Sequence, residues 1–207
     1  MKIIECDQGS PEWLMARLGK VTASCFGDAL AQNRQKTGVG VTSLKYMRKL
    51  IAERLSGEVQ DSYTNAVIDR GSEVEQEARD YYEKLNGVLV TQVGFVEYSE
   101  DVGASPDCLM GDDGMGEIKC PNSSTHIEYI LADRLPTVYV PQVQGGMWVC
   151  ERQWCDFVSF DPRVKQRPYF CKRVFRDEEY IKDLESKIAI FVAEMKRTIE
   201  KLIECPF

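Results

Sequence analysis

The sequence predicts an α+β protein, with helices toward both ends and a run of strands between them. Helix start and stop residues punctuate positions 10–19 and 66–87. β-rich, alternating segments follow through 88–120, broken by a Gly-Asp-Asp-Gly turn at 111–114. From Asp177 a long amphipathic stripe closes the chain.

Each element follows from local chemistry. Ser10-Pro11-Glu12 reads as a helix start, with Ser as N-cap and Pro at the first helical position, and Gly19 as its stop. Thr22-Ala23-Ser24 opens a second short helix to about residue 31, and 32–41 is a polar, glycine-containing loop. Residues 42–55 form a helix with Leu44, Met47, Leu50, Ile51 and Leu55 on one face, ended by Gly57. Residues 66–85 form another, closed by Asn86-Gly87. Strands are predicted over 88–98, 102–110 and 116–120, the last two as a hairpin. A helix over 141–150 starts at a proline, and strands over 154–160 and 169–175 follow. Asp177 caps the final helix, whose apolar stripe is Tyr180, Ile181, Leu184, Ile188, Phe191, Met195 and Leu202. No repeat, low-complexity tract or linker divides the chain, so residues 1–207 are expected to form a single domain.

Composition narrows the function classes. At 43% hydrophobic and 29% charged the chain is ordinary for a globular protein, and no run of 18 apolar residues predicts a membrane span. The opening Met1-Lys2-Ile3-Ile4-Glu5-Cys6-Asp7 has no signal-like apolar core, which predicts a cytoplasmic protein. Eight cysteines contain no Cys-x-x-Cys pair, and the sole histidine is His126, so free thiols are expected rather than a zinc or iron–sulfur site. A net charge of −7 does not exclude nucleic acid, because basic residues gather locally. One group is Arg34, Lys36, Lys45, Arg48 and Lys49; another is Arg163, Lys165, Arg167, Lys172 and Arg173. Either group also suits a solvated face. Trp13, Trp148 and Trp154 are expected in the core, and no nucleophile–histidine pair involves His126.

One place specifies a reaction. Ser105-Pro106-Asp107 is followed, after nine intervening residues, by Glu117-Ile118-Lys119. Side chains alternate along a strand, so Glu117 and Lys119 share a face, and Asp107 on the neighbouring strand meets Glu117. Two carboxylates suit a hard cation such as magnesium, which acidifies bound water and offsets charge on a phosphodiester transition state. Lys119 either deprotonates that water, which requires desolvation, or acts as a fixed positive charge. An EF-hand does not fit, since Glu117 is position 11 from Asp107 and Leu109 and Gly111 occupy ligand slots. On the bare triad, incidental charges on a surface hairpin are the commoner explanation, because the pattern is short.

The surroundings of the triad are more specific. Gly103-Ala104-Ser105-Pro106-Asp107, Gly116-Glu117-Ile118-Lys119-Cys120-Pro121, Tyr139-Val140-Pro141-Gln142-Val143-Gln144 with Met147-Trp148-Val149, and Phe160-Asp161-Pro162-Arg163 stand in that order. Upstream lie Trp13 with Arg17-Leu18-Gly19, Thr22-Ala23-Ser24, and Gly71 to Glu75 with Ala78-Arg79. Together these motifs resemble the phage lambda exonuclease, or YqaJ-like viral recombinase, family over most of the chain.

The resemblance implies a PD-(D/E)xK nuclease core in which a mixed central sheet is flanked by helices (α/β/α). It implies a 5′→3′ exonuclease on linear double-stranded DNA, preferring 5′-phosphorylated ends, releasing mononucleotides and leaving 3′ single strands for a single-strand annealing protein. By the same resemblance, Asp107, Glu117, the Ile118 carbonyl and Glu75 hold Mg²⁺, with Mn²⁺ able to substitute. Lys119 is the catalytic lysine, and Gln142 touches the attacking water or the DNA backbone. Arg17, with Thr22 and Ser24, receives the 5′-phosphate, as suits a planar guanidinium fork. A ring-shaped homotrimer is implied too, with positive charge lining its channel. Asn122-Ser123-Ser124-Thr125 departs from the family in lacking a basic cluster after Pro121. On residues alone, Glu75 also suits a solvated helix face, Gln142 a helix start, and Arg17 a surface pair with Glu12 or Asp28. A restriction-like endonuclease and a catalytically silent DNA-binding protein on the same core are the competing functions.

Overall fold

Pro106 lacks an N–H to give to a ladder, and at Ser105-Pro106-Asp107 the chain leaves one sheet and enters another. In the computed structural model, which describes residues 1–33, 35, 38–60 and 65–205 (the backbone alone for 65–73), the strands therefore form two four-stranded sheets. Arg34 and Lys36, part of the expected loop, and the Glu73 side chain lie outside the described residues.

The first sheet takes β1 (Lys2–Ile4), β2 (Val21–Thr22), β3 (Phe95–Glu97) and β4 (Val102–Ala104) in the order β1-β3-β4-β2. Only its β2–β4 pair is parallel. The second takes β5 (Cys108–Met110), β6 (Gly114–Lys119), β7 (Trp154–Phe160) and β8 (Tyr169–Phe175) in sequence order, with β6 and β7 parallel and the outer pairs antiparallel. The expected mixed sheet is thus two mixed sheets, and the expected strand over 102–110 is two strands, β4 and β5. The segment 88–98 contributes β3 and an isolated bridge, Thr91 to Leu109, rather than one long strand.

Helices cover both faces of the second sheet, as an α/β/α arrangement requires. α4 (Asn65–Asn86) brings Ala78 and Tyr82 against Ile118, Val158 and Phe160. On the opposite face, α6 (Val140–Val149) brings Val143 and Met147 to the core shared with Met115, Cys155 and Phe157, and α7 (Glu178–Glu204) packs on α6 so that Leu184 and Ile188 join the same core. Alternate residues of β7 thus enter different cores, which is why the strand is apolar nearly throughout. The parallel return from β6 to β7 runs through α5 (Ser123–Ala132) and α6, the crossover that parallel pairing demands.

The remaining elements follow their caps with some changes. Ser10 accepts the Trp13 N–H at 3.2 Å to open α1 (Pro11–Arg17), and Gly19 (φ +65°) turns the chain back. The expected helix from Thr22 is a 3₁₀ turn, Ala23–Cys25, leading into the single turn of α2 (Phe26–Ala29). On α3 (Val41–Ser56) the buried face runs through Ser43, Tyr46, Met47, Leu50 and Ile51, while Leu44 and Leu55 are exposed. The Ser43 hydroxyl donates to the Ala29 carbonyl at 2.7 Å, so a polar residue occupies the stripe without an orphaned group. α7 buries Ile181, Leu184, Ile188, Phe191 and Met195, but Leu202 is exposed. The Asn122–Thr125 segment is a helix start: the Asn122 side chain accepts the Thr125 N–H at 3.0 Å to cap α5, which sequence reading had not placed. All eight cysteines are free thiols. Among the described residues, no helix is long and apolar enough to cross a membrane.

Candidate active site

β6 sits between β5 and β7 and directs Glu117 and Lys119 toward α6, while Ile118 packs on the α4 side. Cys108 pairs with Gly116 in the β5–β6 ladder; the same register one residue further sets Asp107 opposite Glu117, as the alternation predicts. Asp107 lies just outside β5, and its Oδ2 accepts the Ile118 N–H at 2.5 Å. This bond fixes the carboxylate at the point where the strand edge is vacated.

The Glu117 carboxylate is 2% exposed. Its Oε1 accepts both Lys119 Nζ and, at 2.5 Å, Gln142 Nε2 from the first turn of α6. Burial and the Glu117 and Glu75 charges push the Asp107 carboxyl well above the usual carboxylate range. Burial alone would lower the Lys119 ammonium, but Glu117 and Asp107 outweigh it and hold the group above its ordinary value. Lys119 also lies 5.4 Å from the centre of the Tyr139 ring. The two carboxylates thus favour the charged form of this lysine, as its electrostatic role requires.

Glu75 stands on α4, the opposite helix layer, and is half-buried rather than solvated. Its Oε1 accepts Arg79 Nη1 one turn on. As the side chains stand, no three His, Cys, Asp or Glu groups among the described residues converge as a metal-holding cluster. The structure brings Asp107 and Glu117 together, with Glu75 close enough to raise Asp107. The hard oxygens of this carboxylate pair, whose mutual repulsion a divalent cation would relieve, fit Mg²⁺ or Mn²⁺ by donor chemistry.

Arg17, Thr22 and Ser24 also come together. Arg17 Nη2 donates to Thr22 Oγ1 at 3.4 Å and Ser24 Oγ at 3.5 Å, and Nη1 to Ser105 Oγ at 3.0 Å. Its guanidinium stacks over Trp13, 4.2 Å from the ring centre, and Trp13 Nε1 donates to the same Ser105 oxygen at 2.8 Å. Ser24 is exposed and Thr22 buried, so the pocket has one open wall.

Several residues of this site had no role in the sequence reading. Ser105 ties the arginine pocket to the Asp107 loop; its only sequence signal is its place just before Pro106-Asp107. Arg79 braces Glu75, and Tyr139 faces Lys119. Asp161 accepts Ser123 Oγ at 2.6 Å and Arg163 Nε at 2.7 Å, and Arg163 Nη2 reaches the Pro121 carbonyl at 3.2 Å. This cluster anchors the chain just after Lys119.

Other expectations resolve into structure. His126 is buried, its Nε2 donating to the Arg167 carbonyl at 2.9 Å and its Nδ1 accepting Ser159 Oγ at 2.7 Å. Trp148 is in the core, but Trp13 and Trp154 are only half-buried, each beneath an arginine. In the second basic group, Arg163, Lys172 and Arg173 pair with Asp161, Asp133 and Asp156.

The comparisons place the chain among nucleases. The family model described as YqaJ-like viral recombinase domain matches residues 12–153, a span holding every candidate residue. The fold is similar to the crystal structure of an alkaline exonuclease (LHK-Exo) from Laribacter hongkongensis, at 40% identity over 93% of this chain and 96% of that one, with a TM-score of 0.84. A structure of LHK-Exo in complex with dAMP matches at 41% identity over the same shares, with a TM-score of 0.85. A phage related exonuclease from Haemophilus somnus 129PT shares the fold at 16% identity over 88% of this chain and 96% of that one, with a TM-score of 0.66.

Proposed function

The chain belongs to the YqaJ-like viral recombinase family, and from that premise we propose that it is a divalent-cation-dependent exonuclease that degrades one strand of linear duplex DNA in the 5′→3′ direction. The family and the 40% identical alkaline exonuclease make it a DNA-hydrolysing nuclease. Preference for 5′-phosphorylated ends, release of mononucleotides and delivery of 3′ single strands to an annealing protein are the finer parts of the proposal. The dAMP held by its relative supports mononucleotide release.

The carrying observation is the junction of two sites through one loop. Arg17 gathers Thr22 and Ser24 into a cluster whose guanidinium fork suits a terminal phosphate, and Ser105 of the same network stands two residues before Asp107. Asp107, Glu117 and the Ile118 carbonyl would hold Mg²⁺, or Mn²⁺ in its place, with Glu75 approaching from α4. In an extended strand the C=O lies on the same edge as the N–H, and the Ile118 N–H already points to Asp107. The ion, when bound, supplies Lewis acidity toward the scissile phosphate and an acidified water. Lys119 presents fixed positive charge to the phosphate oxygens. Gln142 holds Glu117 in place, with its amide available to orient the attacking water. Arg17 pairs with the terminal phosphate through its fork. A ring-shaped homotrimer acting in the cytoplasm completes the reading; enclosing the duplex would keep a chain of net charge −7 on DNA with fewer phosphate contacts than a single-sided binder needs.

The test uses the protein with Mg²⁺ on linear 5′-phosphorylated duplex, linear 5′-hydroxyl duplex and closed circular DNA. Rapid loss of the phosphorylated strand, little cutting of circles and no activity in Lys119→Ala are expected. Efficient cleavage of circles would overturn the exonuclease reading in favour of an endonuclease, and full activity in Lys119→Ala would overturn the site.

A further inference from the structure

A guanidinium in the protein interior needs a purpose, and Arg79 is only 11% exposed at its side chain. Its fork is almost fully used. Nη1 donates to Glu75 Oε1 and Nη2 to Gln76 Oε1 at 3.0 Å, and Nε and Nη2 stand 2.5 and 2.9 Å from the end of the Gln92 side-chain amide, whose oxygen is assigned to that position because both neighbours are donors. Gln76 is itself held, its amide donating to Asp80 at 2.7 Å. Gln92 comes from a different segment. It follows Thr91, whose N–H and C=O both pair with Leu109 at 2.8 Å, and Leu109 lies on β5 two residues after Asp107. An incidental helical ion pair at i,i+4 would not recruit a bracing amide from the strand layer. Glu75 is gripped by one oxygen, and its Oε2 accepts no hydrogen bond among the described residues.

We propose that Arg79, braced by Gln92, is a positioning residue that fixes Glu75 by Oε1 and aims Oε2 at the Asp107–Glu117 pair, so that divalent cation affinity depends on the geometry of this fork. The inference rests on the reading that Glu75 joins the cation site. It assigns the third carboxylate's orientation to an arginine and a glutamine that touch neither cation nor DNA, and it makes a Lys at position 79 a poor substitute, because an ammonium keeps the charge and loses the fork.

The experiment measures Mn²⁺ alone binding to wild type, Arg79→Lys, Arg79→Gln and Gln92→Leu, by titration calorimetry and by loss of the free-ion paramagnetic resonance signal, with thermal melting as a fold control. Gln92 is exposed, so its substitution leaves the core intact. Loss of an outer partner of a metal ligand weakens affinity by about tenfold or more. That loss is expected in Arg79→Lys, with a smaller loss of the same kind in Gln92→Leu. Nuclease rates at saturating Mn²⁺ are expected to return toward wild type, separating affinity from turnover. Wild-type protein that takes up no Mn²⁺ would overturn the cation reading and this inference with it. Wild-type binding with both variants unchanged would overturn the inference alone, as would tighter binding in Arg79→Gln, which would mark Arg79 as a competing charge.

Discussion

Gln142 Nε2 donates to Glu117 Oε1 at 2.5 Å, on the same oxygen that receives Lys119 Nζ. Both donors arrive from one side, so the buried carboxylate is held in a single orientation and its other oxygen is left for a ligand.

Substitutions at Gln142 test that hold. Gln142→Leu removes one hydrogen bond to a charged group, worth roughly 1.5–3 kcal/mol, and is expected to slow digestion about 10–100-fold. Gln142→Glu sets a second carboxylate against a buried one and is expected to cost more. Single-turnover digestion of end-labelled linear duplex measures both; a Glu variant as fast as wild type would contradict the arrangement.

The arginine pocket makes a separate forecast about end chemistry. Arg17→Lys keeps a positive charge but loses the fork that reaches Ser105, Thr22 and Ser24. The ratio of kcat/KM on 5′-phosphate over 5′-hydroxyl ends is expected to fall roughly tenfold, by the loss of about one charge-assisted bond, and further in Arg17→Ala. Rates on hydroxyl ends are expected to change little. An unchanged ratio would remove Arg17 from end recognition.

Helix α6 carries Gln142 on a closely packed surface. A Cβ at Gly145 would stand 2.3 Å from Phe26 Cδ2 and 2.5 Å from Cε2, and Phe26 is fully buried. Gly145→Ala is therefore expected to destabilise by roughly 1–3 kcal/mol, read as a lower midpoint in urea, with slower digestion because α6 must shift. A midpoint equal to wild type would show that Phe26 has room to move.

Acid stability should report on Asp161. Its Arg163 and Ser123 partners hold its carboxyl down to about 2. A depressed pKa stabilises the fold above the ordinary carboxylate value, and that stability is lost as pH falls from about 4 to about 2. Arg163 is 54% exposed at its side chain, so the screened contribution is roughly 1–2 kcal/mol. Asp161→Asn is expected to be less stable at pH 6 and to lose less on acidification over that window, by urea titration at both pH values.

Much of this site could be read from residue order, because the hairpin imposes it. Alternation alone put Glu117 and Lys119 on one face, and the tight turn at 111–114 set Asp107 opposite. The chain's passage between sheets at Pro106 was not legible, since a strand's partner is chosen by distant residues such as Val21 and Val96. The start of α5 was missed because Asn122-Ser123-Ser124 reads equally as loop, and Asp161, 38 residues away from Ser123, tips the balance. Leu44 and Leu55 were assigned inward because apolar residues are presumed buried, whereas Ser43 and Tyr46 satisfied their hydroxyls and took the interior. The role of Ser105 depends on Arg17, 88 residues away, and that of Arg79 on Gln92 from another segment beside its helical partner Glu75, so neither could be read from local spacing.

Between Ser105, fastened to Arg17, and Asp107, opposite Glu117, the chain has two residues to spend. Even fully extended they reach about 7 Å, and the proline between them does not stretch. If the strand end rests on the arginine and hydrolysis occurs at the carboxylates, the length of each fragment is ruled off by covalent backbone. Reshaping the pocket or the carboxylates would alter how fast the enzyme bites; only lengthening this short rule would alter how much it bites off.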